Sequence, residues 1–422
     1  MNRLLNNIAI SVSILRLLKM SSFFALCLIA AFGLVSCNDK EEPDNIPDDE
    51  EQDYIPDDEE QDYIPKKNAK TSILLYAVAS NNLYPAFEDD MEEIIQGLEN
   101  TDLEEVDMLV YSVTPNSNAT LERAVRDNNG QITFTLLKEY EGDKYSTDPQ
   151  RIANVIHNLQ EYSEADNYGL ILWSHGTGWV PNFSDHILPT ANYSFGQDKV
   201  DGKSDYCDIH ELADAIPDNF FNYIWFDCCY MASIETYYQL RNKADFFVGS
   251  PMELAGEGNP YHIVLPYLAQ SDFSLTQAVD VEYRYFINRN IPVALSIVDT
   301  SYLEDIAFLA EKAITGKRPS QLKLQTYHRP PLTALCDFGQ YTATQGASLG
   351  NSWSAENFNS LLNKLVIYKA VSPTDWRNRP IDRDNYSGVS VFYFEDLGTD
   401  EAEYYKGLDW FKAVYTTIPP FI

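Results

Sequence analysis

Two apolar runs in this 422-residue chain each end in side chains able to do nucleophilic chemistry. The first, Tyr168-Gly-Leu-Ile-Leu-Trp173, leads into Ser174-His175-Gly176-Thr177-Gly178-Trp179. The second, Phe221-Asn-Tyr-Ile-Trp-Phe226, leads into Asp227-Cys228-Cys229-Tyr230-Met231. Such runs read as strands buried on both faces, and in open parallel sheets ligands bind beyond the carboxyl ends of the strands. A histidine and a cysteine delivered to that edge face one another, as a thiol nucleophile with an imidazole partner requires. Alone, a strand-end His is usually a structural hydrogen-bonder and a buried Cys an inert hydrophobe. Their pairing, each followed by small residues, is what points to catalysis.

Along an extended chain, residues two apart share a face, so Asp227 and Cys229 point together and Cys228 points away. Cys229 is also expected to open the turn into a helix over Ser233–Arg241, whose N-terminus would lower the thiol pKa. Cys228 reads as a small packing hydrophobe. Gly176 lets the backbone approach a substrate closely, and its N–H with that of Cys229 could bind a developing oxyanion. A redox role for Cys228 and Cys229 is the poorer reading, since a bond between neighbouring cysteines is strained and no CxxC occurs. The six cysteines do not suggest a disulfide-stapled fold, and the six histidines show no HExxH or comparable metal-ligand spacing.

The elements that must hold these residues alternate strand and helix. Strands are expected over Ser72–Ala79, which ends in Ser80-Asn81-Asn82, and over Val106–Val113, Tyr168–Trp173, Asn222–Phe226, Asp245–Gly249 and Pro292–Val298. Gln131–Glu139 reads as part of a hairpin. Helices are expected over Phe87–Leu98, from Asp148-Pro149 to about Tyr162, over Asp208–Ala215 with Asp208 and Glu211 as caps, and over Tyr302–Ile314. The segment Trp179–Tyr206 reads as polar and loop-like. The alternation predicts an α/β fold with a mostly parallel sheet and helices on both faces. A basic, Pro-bearing stretch near Lys317 marks a boundary, giving a catalytic domain over 69–316 and a C-terminal subdomain over 317–422 with one clear strand, Val389–Phe394.

Charge narrows the function. Thirty Lys and Arg against 64 Asp and Glu give −34, which repels phosphate backbones and excludes a general nucleic-acid binder. Basic substrates or divalent cations are the natural partners. Arg3, Arg16 and Lys19 precede the apolar run Phe23–Val35, the order of a secretory signal over residues 1–36. Residues 37–68 form an acidic tether in which Ile-Pro-Asp-Asp-Glu-Glu-Gln-Asp-Tyr occurs at Ile46–Tyr54 and again at Ile55–Tyr63. With 14 acids against one Lys over 38–65, this segment is expected to stay extended.

Three resemblances follow from these residues. Leu34-Val35-Ser36-Cys37 resembles the lipobox of bacterial lipoproteins, which implies lipid on Cys37, a membrane anchor and a place in the cell envelope, at the outer membrane or surface. An apolar strand before Ser174-His175-Gly176 and another before Asp227-Cys228-Cys229 resemble the caspase, legumain, gingipain and clostripain peptidases. The fit is closest to clostripain, through Tyr76-Ala-Val-Ala-Ser80-Asn81-Asn82-Leu83, Asp227-Cys228-Cys229-Tyr230-Met231, Glu253 to Tyr261, and Ser387-Gly388-Val389-Ser390-Val391-Phe392-Tyr393. Ser80 departs from the usual Asp, and Cys228 and Tyr230 from the commoner Ala and Leu.

The resemblance implies a caspase-like fold and a monomeric endopeptidase, with His175 as base and acid and Cys229 as nucleophile, cleaving after Arg or Lys. It implies Asp227 in the pocket for the basic side chain, with Glu257 and Glu253 as candidates for a second acidic wall. Self-cleavage after Lys199 or Lys203 is expected from the same source. The chemistry needs no cofactor, while a structural Ca²⁺ follows from clostripain's response to calcium. The competing readings are a catalytically silent, lipid-anchored binding protein on the same scaffold and a related transferase that ligates peptides.

Overall fold

The computed structural model describes residues 64–142, 144–180, 194–314, 324–327, 335–350, 353–392 and 399–415. The signal, Cys37 and the acidic repeat lie outside them. In chain order the strands are β1 (Lys67–Val78), β2 (Val106–Val113), β3 (Ala119–Arg126), β4 (Ile132–Tyr140), β5 (Ser163–Trp173), β6 (Phe195–Val200), β7 (Lys203–Cys207), β8 (Phe221–Asp227), β9 (Ala244–Gly249), β10 (Ala294–Asp299), β11 (Leu335–Asp337), β12 (Val366–Val371) and β13 (Ser390–Phe392). The first helices are α1 (Tyr84–Leu98), α2 (Pro149–Tyr162), α3 (Ile209–Ala215), α4 (Ile234–Gln239), α5 (Tyr261–Leu268), α6 (Leu275–Asn288) and α7 (Leu303–Ala313). They are followed by α8 (Phe338–Ala347), α9 (Ala355–Leu365), α10 (Thr399–Gly407) and α11 (Asp409–Val414).

Nine strands form one sheet in the order β12-β10-β9-β8-β5-β1-β2-β3-β4. The central run from β9 to β2 is parallel, and antiparallel strands close both edges. Period-two alternation splits each central strand between two cores. In β1, Leu74, Tyr76 and Val78 pack with α2, α3, α4 and α7 on one face. Ile73, Leu75 and Ala77 pack with α1, α5 and α6 on the other. The expected parallel sheet covered on both faces is therefore what the chain adopts.

Local signals set the helix starts. Asp148 accepts from the Gln150 N–H ahead of Pro149, and Asp208 with Glu211 forms a full capping box. Ala119–Arg126, for which the sequence offered no reading, is the strand that pairs with β4 and completes the hairpin expected around Gln131–Glu139. One segment differs from expectation. The stretch expected to be loop up to Tyr206 contains the β6–β7 hairpin, turned by Asp201 and Gly202 at φ 51° and 78°.

The C-terminal region is built into the same unit. The described residues form one compact body, β12 lengthens the central sheet beside β10, and the Ser390 N–H donates to Ala232 O just past the Cys229 turn. Buried Glu235 on α4 accepts from the Phe392 N–H at 2.8 Å and the Tyr405 hydroxyl at 3.0 Å, tying β13 and α10 to the centre. No helix among the described residues is long and apolar enough to cross a membrane.

Candidate active site

The chain order reverses across the sheet where β1 lies between β2 and β5, and such a switch point opens a crevice at the strand ends. His175 leaves β5 and Cys229 leaves β8, neighbouring parallel strands in register at Trp173 and Asp227. The Ser174 N–H still donates to Asp227 O at 3.4 Å, so the two segments emerge at one level. They touch through glycine. A Cβ on Gly176 would fall 2.8 Å from both Cys229 O and Cys228 Cβ, so only glycine lets the His block lie against the Cys block. The Gly176 N–H donates to no protein atom among the described residues.

His175 is half-buried, and its Nε2 lies 2.8 Å from Asn82 Oδ1. An amide oxygen only accepts, so Nε2 carries the hydrogen and the basic lone pair is on Nδ1. Asn82 is itself held by its neighbour: Asn81 Nδ2 donates to Val78 O and Gln197 O, both at 2.8 Å. Base and orienting amide thus come from adjacent strand ends, the pattern of an imidazole fixed for proton transfer.

The two cysteines differ in environment. Cys228 is buried and its thiol donates to Leu172 O at 3.1 Å; burial, with the neighbouring Asp227 carboxylate adding to it, pushes this thiol well above its usual pKa. Cys229 is partly exposed, and its Sγ accepts from the Leu254 N–H at 3.4 Å. Helix α4 begins at Ile234 with Ser233 as its cap, as expected, and Cys229 opens the turn before it, where Tyr230 takes φ 63°. The backbone donor that reaches its sulfur comes from the loop after β9. Cys207, Cys228, Cys229 and Cys336 are all free thiols.

Asp227 ends β8 on the face of α1, α5 and α6. Its Oδ2 accepts from the Asn259 N–H at 3.0 Å and the Tyr261 hydroxyl at 2.8 Å. The acid that the structure sets beside it is Asp90 of α1, whose Oδ2 accepts from Trp173 Nε1 at 2.8 Å. Both Oδ2 atoms lie within 3.3 Å of where a Cβ on Gly258 would sit, and that residue has φ +71°. Burial pushes both carboxyl pKa values up, and for Asp90 the Asp227 charge adds to it. This pair therefore holds a proton that isolated carboxylates would release. Glu257 is exposed, and Glu253 is half-buried with its backbone carbonyl bonded to Trp376.

Lys199 and Lys203 are exposed on facing strands of the β6–β7 hairpin. Among the described residues, no cluster of three His, Cys, Asp or Glu side chains has the arrangement to hold a metal ion. Two residues of the cleft had no role in the sequence reading. Asp90 carries a signal, an acid on the buried stripe Phe87, Asp90, Ile94 and Leu98 of an amphipathic helix. Asn82 was read in the Tyr76 to Leu83 run at the end of the first strand but given no role there.

Residues 75–334 match the model of the clostripain family. Clostripain of Hathewaya histolytica is 24% identical over 230 residues, covering 46% of this chain, and the chain spans about two-fifths (41%) of that curated relative's length. Among solved structures, a secreted C11 cysteine protease from Bacteroides thetaiotaomicron in complex with an irreversible peptide inhibitor aligns at 26% identity and TM-score 0.70, covering 82% of this chain and 99% of that one. An inactive zymogen C11 protease from Parabacteroides distasonis aligns at 26% identity and TM-score 0.70, covering 83% and 99%. With the family model matching more than half of its length, the chain belongs to the clostripain family of cysteine peptidases.

Proposed function

We propose that this chain is a cysteine endopeptidase in which Cys229 is the nucleophile, His175 carries the proton, and Asp227 pairs with the Lys or Arg that precedes the cleaved bond. His175 takes the thiol proton as Sγ attacks the carbonyl carbon. The oxygen that becomes negative lies against the N–H groups of Gly176 and Cys229. The imidazolium returns that proton to the leaving amine as the C–N bond breaks, which leaves a thioester on Cys229. Water, losing a proton to the same imidazole, then hydrolyses the thioester and restores the thiol.

The observation that carries this reading is the seating of Gly176 against the Cys229 carbonyl, which sets the two strand ends side by side. The basic preference is supported by the buried Asp227 and Asp90 carboxyls, since an entering cation offsets the cost of ionising them together. Self-cleavage between the His and Cys segments suits Lys203 better than Lys199. The Lys199 N–H donates to Ser80 O at 3.0 Å and its carbonyl accepts from Ser80 Oγ at 2.7 Å, whereas Lys203 follows the exposed turn. Lipid on Cys37 would hold the enzyme in the bacterial envelope, with proteins and peptides as substrates.

The test is hydrolysis of fluorogenic peptides ending in Arg, Lys, Asp or Leu by the purified protein beside Cys229→Ala. Turnover of the Arg or Lys peptide that the variant lacks is the expected result. No turnover of any peptide, even after tryptic nicking of the region between Trp179 and Tyr206, would instead favour the silent binding protein.

A further inference from the structure

Trp376 is a large apolar side chain left 40% exposed, and a tightly bonded turn holds it in place. Asp375 Oδ1 accepts from the Arg377 and Arg379 N–H groups, both at 2.9 Å, and Asp375 pairs with the Arg379 guanidinium at 2.6 Å. The Asn378 N–H closes the turn on Asp375 O at 2.9 Å. The indole N–H donates to Glu253 O at 2.9 Å. That carbonyl belongs to the same peptide group as the Leu254 N–H, which donates to Cys229 Sγ at 3.4 Å. One peptide plane therefore touches the thiol on one edge and the indole on the other.

Allowing for the width of a peptide group, the indole nitrogen lies within about 9 Å of the sulfur. An extended substrate advances about 3.3 Å per residue, so a side chain two or three residues from the cleaved bond reaches the ring. A turn locked by its own hydrogen bonds loses little freedom when a ligand packs on it, which favours binding at an exposed aromatic face. An exposed Trp ordered in this way and bonded to the loop whose N–H reaches the Cys229 sulfur is poorly explained as core packing.

We propose that Trp376 forms an apolar subsite of the cleft, taking an aliphatic or aromatic substrate side chain near the cleaved bond. This inference rests on Cys229 being the nucleophile. The ring supplies a flat surface of about the area an isobutyl or phenyl group needs, and its anchored edge sets the direction from which that group arrives. Arg377, exposed beside it, leaves the rim of this subsite polar.

The experiment measures kcat/KM for peptides that share Lys before the cleaved bond and carry Gly, Leu or Phe at each of the three preceding positions and the first following one. The full-length protein is compared with Trp376→Ala and Trp376→Phe. At one position, Trp376→Ala is expected to lose about tenfold on the Leu and Phe peptides and under twofold on the Gly peptide. Trp376→Phe, which keeps a ring and drops the N–H, should retain most of that preference. The rate of Cys229 alkylation by iodoacetamide, too small to reach the subsite, should be unchanged in both. An equal loss on all peptides with slowed alkylation in both variants would overturn the subsite and make Trp376 a support for the Leu254 peptide plane. No change on any peptide would overturn it as well. Failure of the wild-type protein to cleave any peptide would count against the nucleophile assignment itself, separately from Trp376. If Trp376→Ala does not fold, Trp376→Gln, which keeps an N–H for Glu253 O and drops the ring, is read on the same peptides: loss of the Leu and Phe preference supports the subsite, and its retention overturns it.

Discussion

Gly176→Ala is the sharpest test of the cleft's construction. A Cβ there would meet Cys229 O and Cys228 Cβ at 2.8 Å and Met231 Sδ at 3.1 Å. The methionine can rotate, but a carbonyl oxygen and a Cβ move only with the backbone that carries them. Ordinary contact lies roughly half an ångström farther out, so the His175 segment, the Cys229 segment or both must shift by about that much. Misplacing reacting groups by about 1 Å costs on the order of a hundredfold, so a shift of about half that should lower kcat/KM by about tenfold. The overpacking itself should cost about 1–3 kcal/mol of stability, visible as a lower Tm. Gly256 provides the control, because a Cβ there meets nothing within 4 Å and its backbone is not in the left-handed region. Gly256→Ala should therefore match the wild type in both rate and Tm. The assay is hydrolysis of a Lys peptide beside iodoacetamide alkylation of Cys229, with Tm measured on the same samples. A Gly176→Ala protein within twofold of wild type in kcat/KM would refute the argument that the two strand ends are held in contact at this residue.

Three further outcomes are expected. Asp227→Asn keeps an acceptor for the Asn259 N–H and the Tyr261 hydroxyl but removes the charge. Leaving a basic substrate side chain unpaired costs about 3–5 kcal/mol, so kcat/KM for Arg and Lys peptides should fall by about two to three orders of magnitude while iodoacetamide still labels Cys229. Cys228→Ala should retain activity and lose about 1 kcal/mol or more of stability, whereas Cys229→Ala should be inactive; stoichiometric labelling of one native thiol by a small alkylating agent, lost only in the Cys229 variant, checks the assignment. Glu235 is buried and its pKa is pushed up to about 7, chiefly by burial, against about 4.3 for a free glutamate. The native state then holds a proton that the unfolded chain releases, so stability falls as pH rises through the window from about 4.3 to about 7. Glu235→Gln keeps the acceptor for the Phe392 N–H without that penalty, so its Tm should gain on the wild type between pH 5 and pH 8; parallel Tm curves would refute the assignment.

Some of this was legible because the signals are local. The apolar runs before His175 and Cys229 mark buried strands by themselves, and Asp208 with Glu211 writes its own capping box. Where a signal depended on neighbours, the reading missed it. The stretch expected to be loop up to Tyr206 holds the β6–β7 hairpin, and Ala119–Arg126, for which nothing was read, takes its strand partners from β2 and β4.

By itself the sequence singled out the candidate residues His175 and Cys229, because a strand's end and the reactive side chain after it lie within one short stretch. The contrast between buried Cys228 and partly exposed Cys229 was read from strand alternation, but β8 ends at Asp227, so the turn after it sets the two thiols, and Cys229 packs toward the core opposite the Asp227 carboxylate. Tertiary structure alone decided what surrounds them. Asn82 reaches His175 across 93 residues, Asp90 reaches Trp173 across 83, and Trp376 reaches the Glu253 peptide across 123. Each of those contacts exists because the sheet order β8-β5-β1 gathers distant strand ends at one edge and the helices and loops packed there follow them. Sheet order is set by the balance of burial over the whole domain, which no local stretch of sequence contains.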